Sequence, residues 1–142
     1  MNDVYDLQRF VDAQERVYDS VLEELRRGQK TSHWMWFVFP QIAGLGTSTT
    51  AKAYAMSSCK EARAYWEHPI LGPHLGECTR LIVGLEGRSA EQIFHYPDNL
   101  KFRSCMTLFD RCVTNNTIFR EALSKYFAGE SDQLTVNILD RE

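Results

Sequence analysis

The stretch VYDLQRFVDAQERVYDSVLEELRR, residues 4–27, decides the fold class. Its apolar residues Leu7, Phe10, Val11, Val17, Tyr18, Val21, Leu22 and Leu25 recur three and four positions apart, the spacing that lines one face of an α-helix. A half-buried strand would alternate instead, so the spacing predicts one long amphipathic helix. Gly28 is its stop, since glycine takes the left-handed conformation beyond a last turn without steric cost.

Working outward, residues 32–40 (SHWMWFVFP) are too uniformly apolar for periodicity to choose between a short buried helix and an extended run, which Pro40 ends in either case. Gln41 to Thr50 is a small-residue turn rich in hydroxyls, and the alanine-rich residues 51–56 behind it are expected to be helical. Ser58-Cys59-Lys60-Glu61 and Ser89-Ala90-Glu91-Gln92 both fit a capping box, the first opening a helix that runs to about His68 before Pro69. Leu71, Leu75, Cys78, Leu81, Ile82 and Leu85 mark another amphipathic helix. Asp98 is expected to cap a helix through Val113, Asn116 one through Phe127, and Asp132 a short last one. No stretch alternates as a sheet would require. The expectation is an all-α protein, a compact array of about six to eight helices forming a single domain over residues 1–142.

The chain has 142 residues, 44% hydrophobic and 25% charged, with a net charge of −3. A domain of that size buries about 68% of its unfolded surface, and the composition excludes collagen-like and disordered classes. No overall basic field is present to gather nucleic acid or an anionic membrane. The longest apolar stretch, residues 34–40, is far short of the roughly 20 residues of a membrane helix, and Met1-Asn2-Asp3 provides no basic segment before an apolar core. These features predict a cytoplasmic protein with neither nucleic-acid nor membrane partners; its oligomeric state is open. Cys59, Cys78, Cys105 and Cys112 form no C-x-x-C pair and are read as reduced thiols, Cys105 and Cys112 sharing a helical stripe with Phe102, Met106 and Phe109.

Several constellations could carry chemistry. The turn containing Gly44 and Gly46 feeds a helix start, where backbone N–H groups with Thr47, Ser48 and Thr49 could meet an anion, although neither the P-loop nor the dinucleotide fingerprint is present. On the helix opened by Asp98, Lys101, Ser104, Leu108 and Arg111 are expected to share a polar face opposite the apolar stripe. Trp34, Trp36, Phe37 and Phe39 are core residues first and a stacking wall second. Trp34 and Trp36 cannot both point the same way as Met35, so part of that cluster is expected to line a cleft. Of His33, His68, His74 and His95, only His74 with Cys78 has ligand-like i, i+4 spacing, and without a third ligand or an H-E-x-x-H motif no metal is expected. His68 is read as a cation favourable at a helix carboxyl end.

His33 to Gln41, then Gly44-Leu45-Gly46, Glu61-Ala62 with Tyr65, His68-Pro69, Leu71-Gly72 and Ser104-Cys105-Met106-Thr107-Leu108-Phe109 together closely resemble the bacterial family catalogued as domain of unknown function 1810. The resemblance runs from about Leu7 to Thr135 and implies a single all-helical cytosolic domain without a settled reaction. In that pattern a glycine commonly stands where this chain has His95, and a serine where it has Cys105. The calpastatin label given to some members suits a disordered inhibitor and not this apolar composition. Shorter pieces, the small-residue turn, the S-x-x-E-A helix and the D-x-x-K start, are similar to a helical class that handles NAD and ADP-ribose derivatives.

The site expected from these readings comprises Trp36, Gln41, Gly44, Gly46, Thr47, Ser48 and Ser104 as ligand-binding residues, receiving a small anionic, phosphate-bearing, nucleotide-like (ADP-ribose-like) molecule. If the protein is an enzyme, hydrolysis of such a group would use Lys101 as nucleophile or electrostatic stabiliser and Asp98 as acid or base. No cofactor is expected. The alternative is a non-catalytic interaction module, docking a protein through the amino-terminal helix or the aromatic cluster.

Overall fold

The computed structural model describes residues 3–142 as ten α-helices, with no strand beyond one parallel bridge between Ile42 and Met56. The helices are α1 (Gln8–Glu15), α2 (Tyr18–Arg27), α3 (Met35–Val38), α4 (Thr49–Ala53), α5 (Cys59–Glu67), α6 (Leu71–Gly84), α7 (Ala90–Phe94), α8 (Asp98–Cys112), α9 (Ile118–Phe127) and α10 (Gln133–Leu139). The all-helical expectation holds, while the number of helices exceeds the expected six to eight. The amino-terminal helix is two, the apolar run left open between a short helix and an extended segment forms the short α3, and the helix expected over residues 51–56 is α4, which spans Thr49–Ala53.

The expected long helix breaks at Val17, whose φ of −129° and ψ of −4° leave the helical region. Packing demands the break: α1 lies against α3 and α2 against α6, so one straight rod could not reach both. Gln14, at the end of α1 and buried, secures the corner. Its amide nitrogen donates to the Phe37 carbonyl at 2.7 Å and the Tyr65 hydroxyl at 2.9 Å, and its oxygen meets His74 Nδ1 at 2.8 Å. A buried amide is stable only when so partnered.

Helix α8 is the central post, packed by α5, α7, α9 and α10. That corrects the expected polar face of Lys101, Ser104, Leu108 and Arg111. Leu108 is fully buried and Ser104 nearly so, because neighbours surround the middle of the helix. Only Lys101 and Arg111 reach outward, at opposite ends. Phe102, Phe94 and Phe39 form an aromatic knot beside α8, with Phe94 stacked on Phe102 at 4.7 Å and Phe39 edge-on to both. Trp34 and Phe39 are completely buried, so neither can dock a partner.

The caps follow the sequence with instructive departures. Ser89 and Gln92 close a full reciprocal capping box, and Asp132 accepts from Thr135 N at the start of α10. Ser58 caps α5, but Glu61 turns away from it to accept from Ser57 N and Oγ, both at 2.8 Å, and to pair with Arg9 at 3.0 Å. Asp98 is the first helical residue and not the cap, Pro97 standing before it. Thr117 occupies the cap position of α9, with Asn116 Oδ1 accepting from Ile118 N. His68 Nδ1 accepts the N–H groups of Ile70 and Leu71, so the ring serves the start of α6 as an acceptor, in place of the expected cation at the end of α5.

The reduced-thiol reading is corrected for one pair. Cys59 and Cys112 are disulfide-bonded, their Cα atoms 5.2 Å apart across 53 residues of sequence. The packing of α5 on α8 joins the first residue of one helix to the last of the other, a proximity that local spacing cannot show. Cys78 and Cys105 are free and buried, and burial holds the Cys105 thiol well above its ordinary range.

Among the described residues three non-glycines have positive φ, Asp6, His95 and Ala128, and the conflict is sharpest at His95. Its φ of +65° with ψ of 155° lies in a region that essentially only glycine occupies comfortably, and a side chain there costs about 1–3 kcal/mol. Glycine is the residue that the resembling pattern commonly places there. His95→Gly is therefore expected to raise the melting temperature by about 4 °C, corresponding to about 1 kcal/mol after the extra unfolded-state freedom of glycine is subtracted. A calorimetric scan showing a lower melting temperature would mean that the imidazole itself stabilises the turn.

Candidate functional site

The backbone at Gln41 and Ala43 is pinned to Met56, with Met56 N donating to the Gln41 carbonyl and Ala43 N to the Met56 carbonyl, each at 2.8 Å. The intervening turn is thus held at both ends and projects toward the amino-terminal end of α8. Between them lies a cleft of about 420 Å³, a volume typical of small-molecule sites. Trp36 and Gln41 form one wall, Gly46, Thr47 and Ser48 the turn side, and Lys101 and Ser104 the α8 side. Six of the seven expected ligand-binding residues, with Lys101, therefore converge. Gly44 instead lines an adjoining hollow of about 210 Å³, which shares Trp36, Gln41, Gly46 and Ala51 with the larger cleft.

The chemistry of each side chain depends on what it already holds. Lys101 Nζ is 3.3 Å from Asp98 Oδ1 and 5.1 Å from the centre of the Trp36 ring, so the aromatic face and the ammonium are adjacent in the cleft wall. The other Asp98 oxygen is 2.9 Å from Nζ of Lys30, a buried lysine that also donates to the Ser32 carbonyl and lies over Trp34. Asp98 is not among the residues lining the cleft and meets it through Lys101. The formal charge of the Lys30–Asp98–Lys101 triad is one positive unit. Ser48 Oγ accepts from Ala51 N as the cap of α4, and Ser104 Oγ donates to the Leu100 carbonyl. The side chains of Gln41 and Thr47 make no hydrogen bond with the described residues, so their polar atoms are free for a guest.

Gly46 owes its identity to packing, since a Cβ there would lie 2.5 Å from the Cβ of Ala51. Leu45, Leu100, Leu134 and Asp132 also line the cleft and were not expected there, Asp132 having been read as a helix cap alone. Lys30 was missed as well. It stands in an unremarkable segment after Gly28, and only the docking of that segment on α7 and α8, with Lys30 N donating to the Ile93 carbonyl at 2.7 Å, brings its ammonium to Asp98.

The most perturbed side chains lie elsewhere. Tyr18 stacks on His74 with ring centres 3.6 Å apart and donates to Glu77 at 2.6 Å. Burial raises the Tyr18 hydroxyl far above its ordinary value, pushes the Cys78 thiol up to about 12 and lowers His74. The thiol is thereby kept protonated and unreactive. His74 and Cys78, the i, i+4 pair, are occupied with Gln14 and Tyr18 respectively.

Residues 4–139 of the chain match the model of a family described as a protein of unknown function, DUF1810. The chain belongs to the DUF1810 family. A crystal structure of the conserved hypothetical protein Rv1873 from Mycobacterium tuberculosis is similar to this DUF1810 protein at 54% identity, with a TM-score of 0.96, over 97% of this chain and 99% of that one. No protein with a curated description matches this DUF1810 chain. No helix among the described residues is long and apolar enough to cross a membrane.

Proposed function

We propose that the cleft between the Gly46–Ser48 turn and α8 binds a small anionic, phosphate-bearing ligand of nucleotide-like shape. The observation that carries this reading is the placement of the Lys101 ammonium against the face of Trp36 inside a concavity of about 420 Å³. A cation and an aromatic face in one wall suit a ligand with a charged group joined to a planar ring. Gln41 and Thr47 supply uncommitted hydrogen-bonding groups beside them. The ADP-ribose-like class named by the weaker sequence similarity has these features. Hydrolysis of such a ligand is the further step of this reading. Lys101 would then stabilise developing charge, while Asp98, with both oxygens held by lysines, would orient Lys101.

The test is a thermal-shift screen of the purified protein against nucleotides, NAD, ADP-ribose and phosphosugars. A ligand at 100 times its dissociation constant adds about 2.7 kcal/mol of stability. Lys101→Ala is expected to abolish that shift while lowering the stability of the free protein by less than about 1 kcal/mol, since a partly exposed ion pair is worth little and Asp98 keeps Lys30. A large stability loss with binding retained would make Lys101 a structural residue.

One observation favours a second reading, a docking module. Leu100 and Leu134 in the cleft are 44% and 63% exposed, and neighbouring Tyr96 is 73% exposed. A screen silent across every small molecule would move the assignment to that apolar rim and a protein partner.

A further inference from the structure

The larger cleft adjoins the hollow of about 210 Å³ that also contains Gly44, and Trp36, Gln41, Gly46 and Ala51 line both. The two hollows are the lobes of one surface depression with a shared aromatic and amide waist. Each lobe has its own lysine: Lys101 in the larger, Lys52 in the smaller. Lys52 forms no ion pair with the described residues, so its charge is uncompensated by a carboxylate. The smaller lobe contains no acidic side chain and the larger contains one, Asp132, whose Oδ2 accepts from Thr135 N at 3.1 Å and Thr135 Oγ1 at 2.6 Å.

Two lobes, two lysines and a common wall of Trp36 and Gln41 carry an inference that rests on the binding reading above and narrows its ligand. We infer that the ligand is a bisphosphate whose two anionic groups stand at opposite ends of an uncharged, nucleoside-like middle. One phosphate meets Lys101, the other meets Lys52, and the middle crosses the waist at Trp36 and Gln41. A ligand with its charges side by side, as in a diphosphate chain, would leave one lysine unused. Lys52 is then a binding residue, assigned through its lobe and not through any motif.

Isothermal titration of the intact protein with adenosine 3′,5′-bisphosphate, AMP and ADP tests this. The bisphosphate is expected to bind at least about tenfold more tightly than AMP or ADP, one added phosphate–lysine contact being worth about 1.4 kcal/mol or more. Lys52→Ala should erase that advantage while leaving AMP affinity unchanged, Lys52→Arg should restore it, and Lys101→Ala should weaken all three ligands. Equal affinities for the three, still lost in Lys101→Ala, would overturn the two-lobed ligand and leave the anion cleft standing. No binding of any of them, or binding indifferent to Lys101, would overturn both.

Discussion

Glu24→Ala is expected to destabilise the protein by about 3–5 kcal/mol, the effect of leaving several buried donors without their shared acceptor. The Glu24 carboxylate is almost fully buried at the end of α2 and accepts from Thr31 N at 2.7 Å, Ser32 N at 3.0 Å, Ser32 Oγ at 2.7 Å and the indole N–H of Trp34 at 3.0 Å. It thereby organises the whole connection from α2 into α3. Burial acts to raise its pKa, but the hydrogen bonds from Thr31, Ser32 and Trp34 outweigh burial and hold it below the ordinary 4.5. A carboxylate lowered on folding contributes stability that is fully present above its unfolded value and disappears as pH falls through its folded value. Urea unfolding from neutral to acid pH should show the wild type losing stability across that window and Glu24→Ala responding less steeply. An alanine variant within about 1 kcal/mol of wild type at neutral pH would refute the organising role. Glu24→Gln should fall between the two, because an amide keeps one acceptor and turns an NH₂ toward N–H groups.

Gly72→Ala is expected to cost at least about 3 kcal/mol, or to prevent folding outright, because the space for a side chain is taken by backbone. A Cβ on Gly72 would lie 2.0 Å from the Trp66 carbonyl oxygen and 2.9 Å from its carbon. Neither can swing aside as a flexible side chain could, so the connection from α5 into α6 would have to open. Gly84, at the other end of α6, has nothing within 4 Å of its own Cβ position. Gly84→Ala should therefore stabilise by about 0.5–1 kcal/mol through helix propensity alone. The two substitutions make the same chemical change in one helix, and melting temperatures moving in opposite directions would show that contact and not propensity decides. If both rise, the tight approach of α5 to α6 is not as described.

What could be read in the chain and what could not divides by distance along it. The helices α2, α6 and α8 were visible as apolar spacing, and α5, α7 and α10 through the caps at Ser58, Ser89 and Asp132, since these interactions act within about four residues. Most of the candidate cleft was legible for a similar reason. Trp36, Gln41, Gly46, Thr47 and Ser48 are near neighbours in sequence, and polar residues embedded in apolar blocks mark them.

The break at Val17 was not legible, because residues 4–27 keep a helical apolar period straight through it, and only the different partners of α1 and α2 require two directions. The covered face of α8 was hidden for the same reason, its neighbours deciding that Ser104 and Leu108 are inside. The Cys59–Cys112 bond, the Lys30–Asp98 pair and the opening of Lys52 onto the second lobe each join residues with no local signature. Periodicity and capping are local free energies, and the amino-acid sequence by itself determined the all-helical class and the ingredients of the cleft through them. Which charges meet, which thiols bond and where the helices turn depend on packing between segments far apart in the chain, and only the tertiary structure decided those.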